Sequence, residues 1–276
     1  MMTLFEFGRP FVKMSGSGND FIFFDARSEP VGDLARPEQI AALCARGTGI
    51  GADGVVFLEP AQKADFAIRY FNPDGSLASL CGNASLCSVR LATELGAARP
   101  DGMTLETGAG VLSARMREGL PEIDLPPVAS VQPAVRGIEP TEGEARVGFA
   151  VAGVPHLVVL CGDASAALLE KRGPALRHHP TLREGANVNW VSPQDGGWRM
   201  RTYERGVEGE TLACGTGAVA VAVLLATWGE ADPGRVALAT SSGLTLEVAL
   251  RQTASGWWPS LRGEGRVVFS GRLGEL

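Results

Sequence analysis

The chain begins its readable pattern with two short apolar runs, Phe11-Val12-Lys13-Met14 and Phe21-Ile22-Phe23-Phe24, split by the polar loop Ser15 to Asp20. That pattern predicts two strands joined by a turn. Between Arg36 and Arg46, Ile40, Leu43 and Cys44 recur at helical spacing, with Pro37 near the start. The glycine-rich run Gly47 to Gly54 ends that helix and leads into a strand at Val55-Val56-Phe57-Leu58. Phe66 to Phe71 reads as a further strand, followed by the Asn72-Pro73-Asp74-Gly75 turn. A helix from Cys81 carries Leu86, Val89, Leu91 and Leu95 and stops at Gly96. Met103 to Met116 reads as a hairpin, and the prolines from Leu120 to Pro127, with Pro133 and Pro140, mark a crossover. The second half begins with Val147–Gly153, and strands follow at Leu157–Leu160, Asn187–Val191 (polar positions on one face) and Trp198–Tyr203. The stretch Ala218 to Trp228 holds no charged residue, and a helix apolar all round is buried on every side. A hairpin at Val236–Leu250 and a last strand at Arg266–Gly271 complete the pattern.

The pattern repeats. Cys81 and Cys214 each follow a strand and a turn and open a helix. Gly96 and Gly229 stand fifteen residues beyond them, Pro100 and Pro233 nineteen, Leu105 and Leu238 twenty-four, and Gly110 and Gly243 twenty-nine. Gly18 and Gly153 lie sixty-three and sixty-one residues before the cysteines, so the repeat reaches back to the Asn19 loop, and His156 corresponds to Phe21. This is a duplicated supersecondary unit. The expected fold is α/β (α+β): two pseudo-symmetric repeats, each a curled β-sheet wrapped round a central helix. We expect residues 1–127 to form an N-terminal half carrying Cys81 and 128–265 a C-terminal half carrying Cys214. Residues 266–276 would return to the N-terminal half as a final strand.

A cysteine at a helix start has a chemical consequence. The first N–H groups of a helix lack internal partners and carry partial positive charge, which favours a thiolate and can hold a carboxylate. Two such ends facing one bound anion would put thiols on opposite sides of one carbon. That suits removal of a proton from one face and its return to the other. The plain alternative is that Cys and Gly pack a tight turn, which accounts less well for a duplicated pair.

Composition narrows the classes. Net charge is −6 with no basic run, which argues against nucleic acid and anionic membrane as partners. No apolar run approaches a membrane span, and Met1 to Lys13 lacks the pattern of a signal peptide, so the expected compartment is the cytoplasm. Five cysteines in 276 residues do not make a disulfide framework, and their spacing offers no zinc site. Cys44, Cys87 and Cys161 read as core residues. The Gly16–Gly18 loop does not lead into a helix, which excludes a dinucleotide fingerprint. The three lysines, Lys13, Lys63 and Lys171, lie outside the repeated motifs, so a pyridoxal Schiff base is not implied.

The assembled motifs resemble the diaminopimelate epimerase family, cofactor-independent two-cysteine amino-acid epimerases. The matching stretches are Gly18-Asn19-Asp20-Phe21, Gly49 to Gly54, Phe71 to Gly75, Leu80-Cys81-Gly82-Asn83, Glu204-Arg205-Gly206 and Glu210 to Gly217. The resemblance implies that Cys81 and Cys214 are the paired acid and base, with His156 and Glu204 as auxiliary residues. It implies substrate binding by Asn19, Asn72, Gly82, Asn83, Asn187, Glu204, Arg205, Gly215 and Thr216. It also implies an isomerase that interconverts LL- and meso-diaminopimelate for lysine and cell-wall precursor synthesis, with no cofactor or metal, commonly as a homodimer.

Three departures bear on which amino acid fits. Val154-Pro155-His156 stands where the family usually has Asn-Pro-His. Ala84-Ser85-Leu86 stands where it has Gly-Ala-Arg. Glu208-Gly209 lengthens the connection from Glu204 to Cys214 by one residue. The nearest rival is a racemase of proline, histidine or glutamate type on the same scaffold. A thiol hydrolase using Cys214 and His156 would leave Cys81 unexplained, and an amino-acid binding module would leave the thiol pair without a task.

Overall fold

A computed structural model describes residues 8–274; residues 1–7 and 275–276 of the terminal segments considered above lie outside the described residues. Contacts divide the chain into two units, Met1–Ile123 with Gly263–Leu276, and Asp124–Arg262. No helix among the described residues is long and apolar enough to cross a membrane.

In the first unit β1 (Pro10–Gly16) and β2 (Asn19–Asp25) form a hairpin, and β2 runs parallel to β3 (Gly54–Glu59) across α1 (Pro37–Cys44). β3 pairs antiparallel with β4 (Phe66–Phe71), whose end is met by the two-residue β5 (Leu77–Ala78). After α2 (Gly82–Glu94), β6 (Met103–Thr107) returns parallel to β4, and β7 (Gly110–Arg117) and β8 (Leu120–Asp124) continue antiparallel. The last strand of the chain, Arg266–Arg272, pairs antiparallel with β1.

The second unit repeats this order pairing for pairing. Beside β9 (Val131–Gln132) lies the β10 (Glu144–Ala152) and β11 (Val154–Cys161) hairpin, and β11 is parallel to β12 (Asn187–Gln194) across α3 (Leu169–Arg177). β13 (Gly197–Glu204) pairs antiparallel with β12 and with the short β14 (Gly209–Thr211). α4 (Gly215–Trp228) leads to β15 (Val236–Ala239), parallel to β13, then to β16 (Thr245–Thr253) and β17 (Gly256–Arg262). The last strand of the chain, β18, therefore plays in the first unit the part that β9 plays in the second.

Register makes the duplication residue-specific. Ile22 pairs with Val55 and Val55 with Phe71; Leu157 pairs with Val188 and Val188 with Tyr203. Phe21 thus corresponds to His156, Gly54 to Asn187, Val56 to Asn189, Asn72 to Glu204 and Asn19 to Val154.

Each sheet is buried on both faces in its middle strands. Ile22 and Phe24 join Ile40, Leu43, Val55, Phe57 and Phe71 under α1. Phe21 and Phe23, alternate residues on the opposite face, are buried to within 1%. In the second unit Leu157, Val159, Val188, Trp190 and Tyr203 pack with Leu169 and Leu176 of α3. α4 contacts β10, β11, β12, β16 and β17, and Val219, Val221, Val223, Leu224 and Leu225 are at most 1% exposed. Burying each contributes about 1.5–3 kcal/mol, which holds a charge-free helix in place where propensity alone would not. Gly229 ends it in the left-handed region at φ 75°, its N–H reaching Ala226 O and Leu225 O.

The prolines of Leu120–Pro127 conceal structure that the pattern assigns to a connection. Pro121 sits inside β8, pairing Met116, and its carbonyl accepts from Gly263 N at 3.3 Å. A proline costs a strand only its ladder donor, so the strand survives. α3 is absent from the periodic pattern because Gly173 and Pro174 interrupt its apolar positions.

Candidate active site

In the first unit Cys81 is the N-cap of α2, in extended backbone at φ −133°, ψ 117°. The first intrahelical bond runs from Ser85 N to Cys81 O at 2.9 Å, so the N–H groups of Gly82, Asn83 and Ala84 precede the helix's own ladder. Asn83, 2% exposed, donates to Asn19 Oδ1 at 2.7 Å, and Asn19 donates to Asp53 Oδ2 at 3.0 Å. Arg46 donates to Asp20 and Asp53 at 2.6 and 2.8 Å, and Lys13 lies 2.7 Å from Asp20. Burial pushes the Asp20 carboxyl up, but Arg46 and Lys13 outweigh it and hold the group below the usual carboxylate range. Asn19 is thus fixed between the thiol helix and a charged network. Asn72 stands apart from that chain of bonds, in the turn after β4, where its Nδ2 donates to Ser76 Oγ at 3.0 Å.

In the second unit Cys214 caps α4 in nearly the same backbone, φ −135°, ψ 108°. Its Sγ accepts from Gly217 N at 3.3 Å and lies 3.5 Å from Thr216 Oγ1. Ala218 N bonds Cys214 O at 2.9 Å, so the Gly215 and Thr216 N–H groups precede the ladder. His156 and Asn187 are register partners on parallel strands. Asn187 Oδ1 accepts from Arg205 N at 2.7 Å, and Arg205 donates to Glu184 O at 3.2 Å. Glu204 Oε2 accepts from Thr211 Oγ1 at 2.7 Å. In the Glu204–Cys214 connection Glu208, φ 56°, ties the turn: its N–H bonds Glu204 O at 2.8 Å and its carboxylate takes Gly206 N at 3.1 Å.

His156 is completely buried. Desolvation, and behind it the positive charge of Arg205, push its pKa down to about 3, so the ring is neutral. Its Nδ1 meets Asn189 Nδ2 at 3.2 Å. The remaining thiols are inert core groups: burial raises Cys44 and Cys161 to about 11, and raises Cys87 well above the ordinary thiol. Among the described residues no cluster of three His, Cys, Asp or Glu side chains is arranged to hold a metal ion.

Sequence reasoning assigned no role to Lys13, Arg46, Asp20 and Asp53, although the last two stand inside the motifs it used. It also passed over Asn189, whose only signal was the alternation Asn187-Val188-Asn189 on a strand.

These features define a class: a duplicated α/β scaffold with a thiol heading the central helix of each half. Solved structures with this fold include a phenazine biosynthesis protein of the PhzF family from Bacillus anthracis, at TM-score 0.74 and 15% identity, over 96% of this chain and 98% of that one. A probable proline racemase from Agrobacterium radiobacter, with bound carbonate, superposes at TM-score 0.67 and 20% identity, over 96% and 93%. At such identities the likeness is one of fold. Sequence narrows it. The profile of the family described as diaminopimelate epimerase matches residues 11–123 and 149–256. A Gemmatimonas aurantiaca protein named diaminopimelate epimerase is 53% identical over 96% of this chain and 99% of its own length. One of the same name from Archaeoglobus fulgidus is 36% identical over 96% and 97%. The chain belongs to the diaminopimelate epimerase family.

Proposed function

We propose that the protein is a cofactor-independent epimerase that interconverts LL- and meso-2,6-diaminopimelate by two-base proton transfer at the α-carbon. The observation that carries this is the 53% identity to a diaminopimelate epimerase over nearly the whole of both chains. The site residues support it. One of Cys81 and Cys214, as thiolate, removes the α-proton, and the other, as thiol, protonates the opposite face. An α-proton beside a carboxylate is weakly acidic, so charge developing on the substrate must be met by fixed dipoles. The leading N–H groups of α2 and α4, at Gly82-Asn83 and Gly215-Thr216, are of that kind. Asn19, Asn72, Asn187 and Arg205 bind the two amino-acid heads, and His156 and Glu204 assist at the reacting centre.

The same reading assigns the enzyme to lysine and cell-wall precursor synthesis in the cytoplasm. It also makes the working form a homodimer. Exposed apolar side chains on β18, Val267 and Phe269 on one face and Val268 on the other, support an interface there.

Val154 favours a second reading. It occupies the place that Asn19 holds in the first unit and brings no hydrogen-bonding group, which leaves room for a racemase of a single-headed amino acid. The test is α-proton exchange with deuterated water on diaminopimelate, proline, histidine and glutamate at equal concentration. Fastest exchange on diaminopimelate is expected. Faster exchange on a single-headed amino acid would replace the substrate and keep the thiol chemistry.

A further inference from the structure

Asn189 lies wholly buried on β12, and its three polar contacts determine its orientation. Nδ2 approaches Leu157 O at 2.9 Å, and a carbonyl can only accept, so the nitrogen must be on that side. Oδ1 then accepts from Thr202 Oγ1 at 2.9 Å. The second Nδ2 hydrogen is left for His156 Nδ1 at 3.2 Å. A donor facing Nδ1 requires that nitrogen to carry a lone pair, so the ring proton sits on Nε2. Nε2 is buried with no hydrogen-bond partner among the described residues. A buried N–H without an acceptor is costly.

A second observation ties Asn189 to the thiol helix. A Cβ on Gly217 would come within 2.5 Å of Asn189 Oδ1 and 3.2 Å of Cys214 Sγ. Only glycine lets the first turn of α4 close onto Asn189, so one amide contacts both the thiol helix and the histidine.

We propose that Asn189 is a positioning residue that holds His156 as the neutral Nε2–H tautomer, so that His156 serves as a hydrogen-bond donor to an anionic acceptor and not as a base. At Nδ1 the lone pair is engaged by Asn189; at Nε2 there is a proton and no lone pair. The acceptor arrives with the reaction as a substrate carboxylate or a thiolate sulfur. This inference rests on the placing of His156 beside the reacting centre.

The test is the ¹⁵N spectrum of the imidazoles in histidine-labelled full-length protein, with His156 assigned from the signals lost in His156→Gln. The chain has three histidines, which keeps the spectrum simple. The expected His156 pattern is Nε2–H with bare Nδ1, unchanged from pH 8 to pH 5. An Nδ1–H tautomer or an imidazolium at neutral pH overturns the proposal; it is read in the unsubstituted protein, His156→Gln serving only to assign the signal. In Asn189→Ala the tautomers should mix, and kcat should fall about tenfold or more, the size of one misplaced hydrogen bond, with KM little changed. A folded Asn189→Ala with an unmixed Nε2–H pattern also overturns it. If the tautomer is as stated but His156→Gln keeps full epimerisation, the failure lies in the assignment of His156 to the site.

Discussion

Acidification should destabilise the second unit through His156, and the size can be worked from its burial. In the folded protein the ring holds no proton until about pH 3. In the unfolded chain an ordinary histidine takes one near 6.5. As pH falls, the unfolded form therefore binds the proton first and is favoured. The contribution of His156 is intact above about pH 6.5 and drains away as pH falls through that value towards 3. Linkage gives a loss of about 2 kcal/mol between pH 7 and pH 5, approaching about 5 kcal/mol at the acid end of the window. Asp20 and Glu144, whose carboxyls are held low, act in the same direction, but only below the unfolded carboxylate values near 4. Between pH 7 and pH 5 the difference between wild type and His156→Gln thus reads His156 itself. Trp190, Trp198, Trp228, Trp257 and Trp258 are all the tryptophans of the chain and all lie in the second unit, so urea unfolding followed by their fluorescence reads that unit. Over this interval wild type should lose about 2 kcal/mol more than His156→Gln. Equal slopes for the two proteins would refute the burial argument.

The other predictions concern fit. Val154→Asn restores one hydrogen-bonding side chain at the head of β11, and the Michaelis constant for diaminopimelate should fall by up to about tenfold; an unchanged constant would remove Val154 from the substrate's surroundings. Arg205→Ala removes a fork able to grip a carboxylate through two charge-assisted bonds of about 1.5–3 kcal/mol, so kcat/KM should fall by about a hundredfold or more, measured in the same exchange assay. Gly217→Ala forces a methyl against Asn189 Oδ1 and should cost about 1–3 kcal/mol of stability in urea unfolding, with activity falling further.

The duplication was legible because it left marks at fixed spacing: glycines, prolines and leucines counted from each cysteine. The strands read well because the middle of each sheet is buried on both faces, which gives unbroken runs such as Phe21 to Phe24. Elements with weaker marks were harder to see. β8 carries Pro121 and reads as a linker, and β5 and β14 are two and three residues long and exist only through pairing with β4 and β13. In the site, motif residues such as Asn19 and Arg205 could be named, but not what holds them. Asn83, Asn19 and Asp53 are scattered from 19 to 83 in the chain, and only the β2–β3 register and the start of α2 bring them into one row of hydrogen bonds. Asn189 was harder still, since its alternation with Asn187 marks a polar strand face and not a partner.

The central claim is that Cys81 and Cys214 carry protons on opposite faces of one carbon. Epimerisation of LL-diaminopimelate in deuterated water, stopped early, tests it most directly. Two separate carriers predict deuterium at the α-carbon of the newly formed meso product, while recovered LL substrate keeps its original proton. Cys81→Ala and Cys214→Ala should each abolish epimerisation while retaining the fold. A product that kept the substrate's proton, or near-native turnover in either variant, would contradict the account.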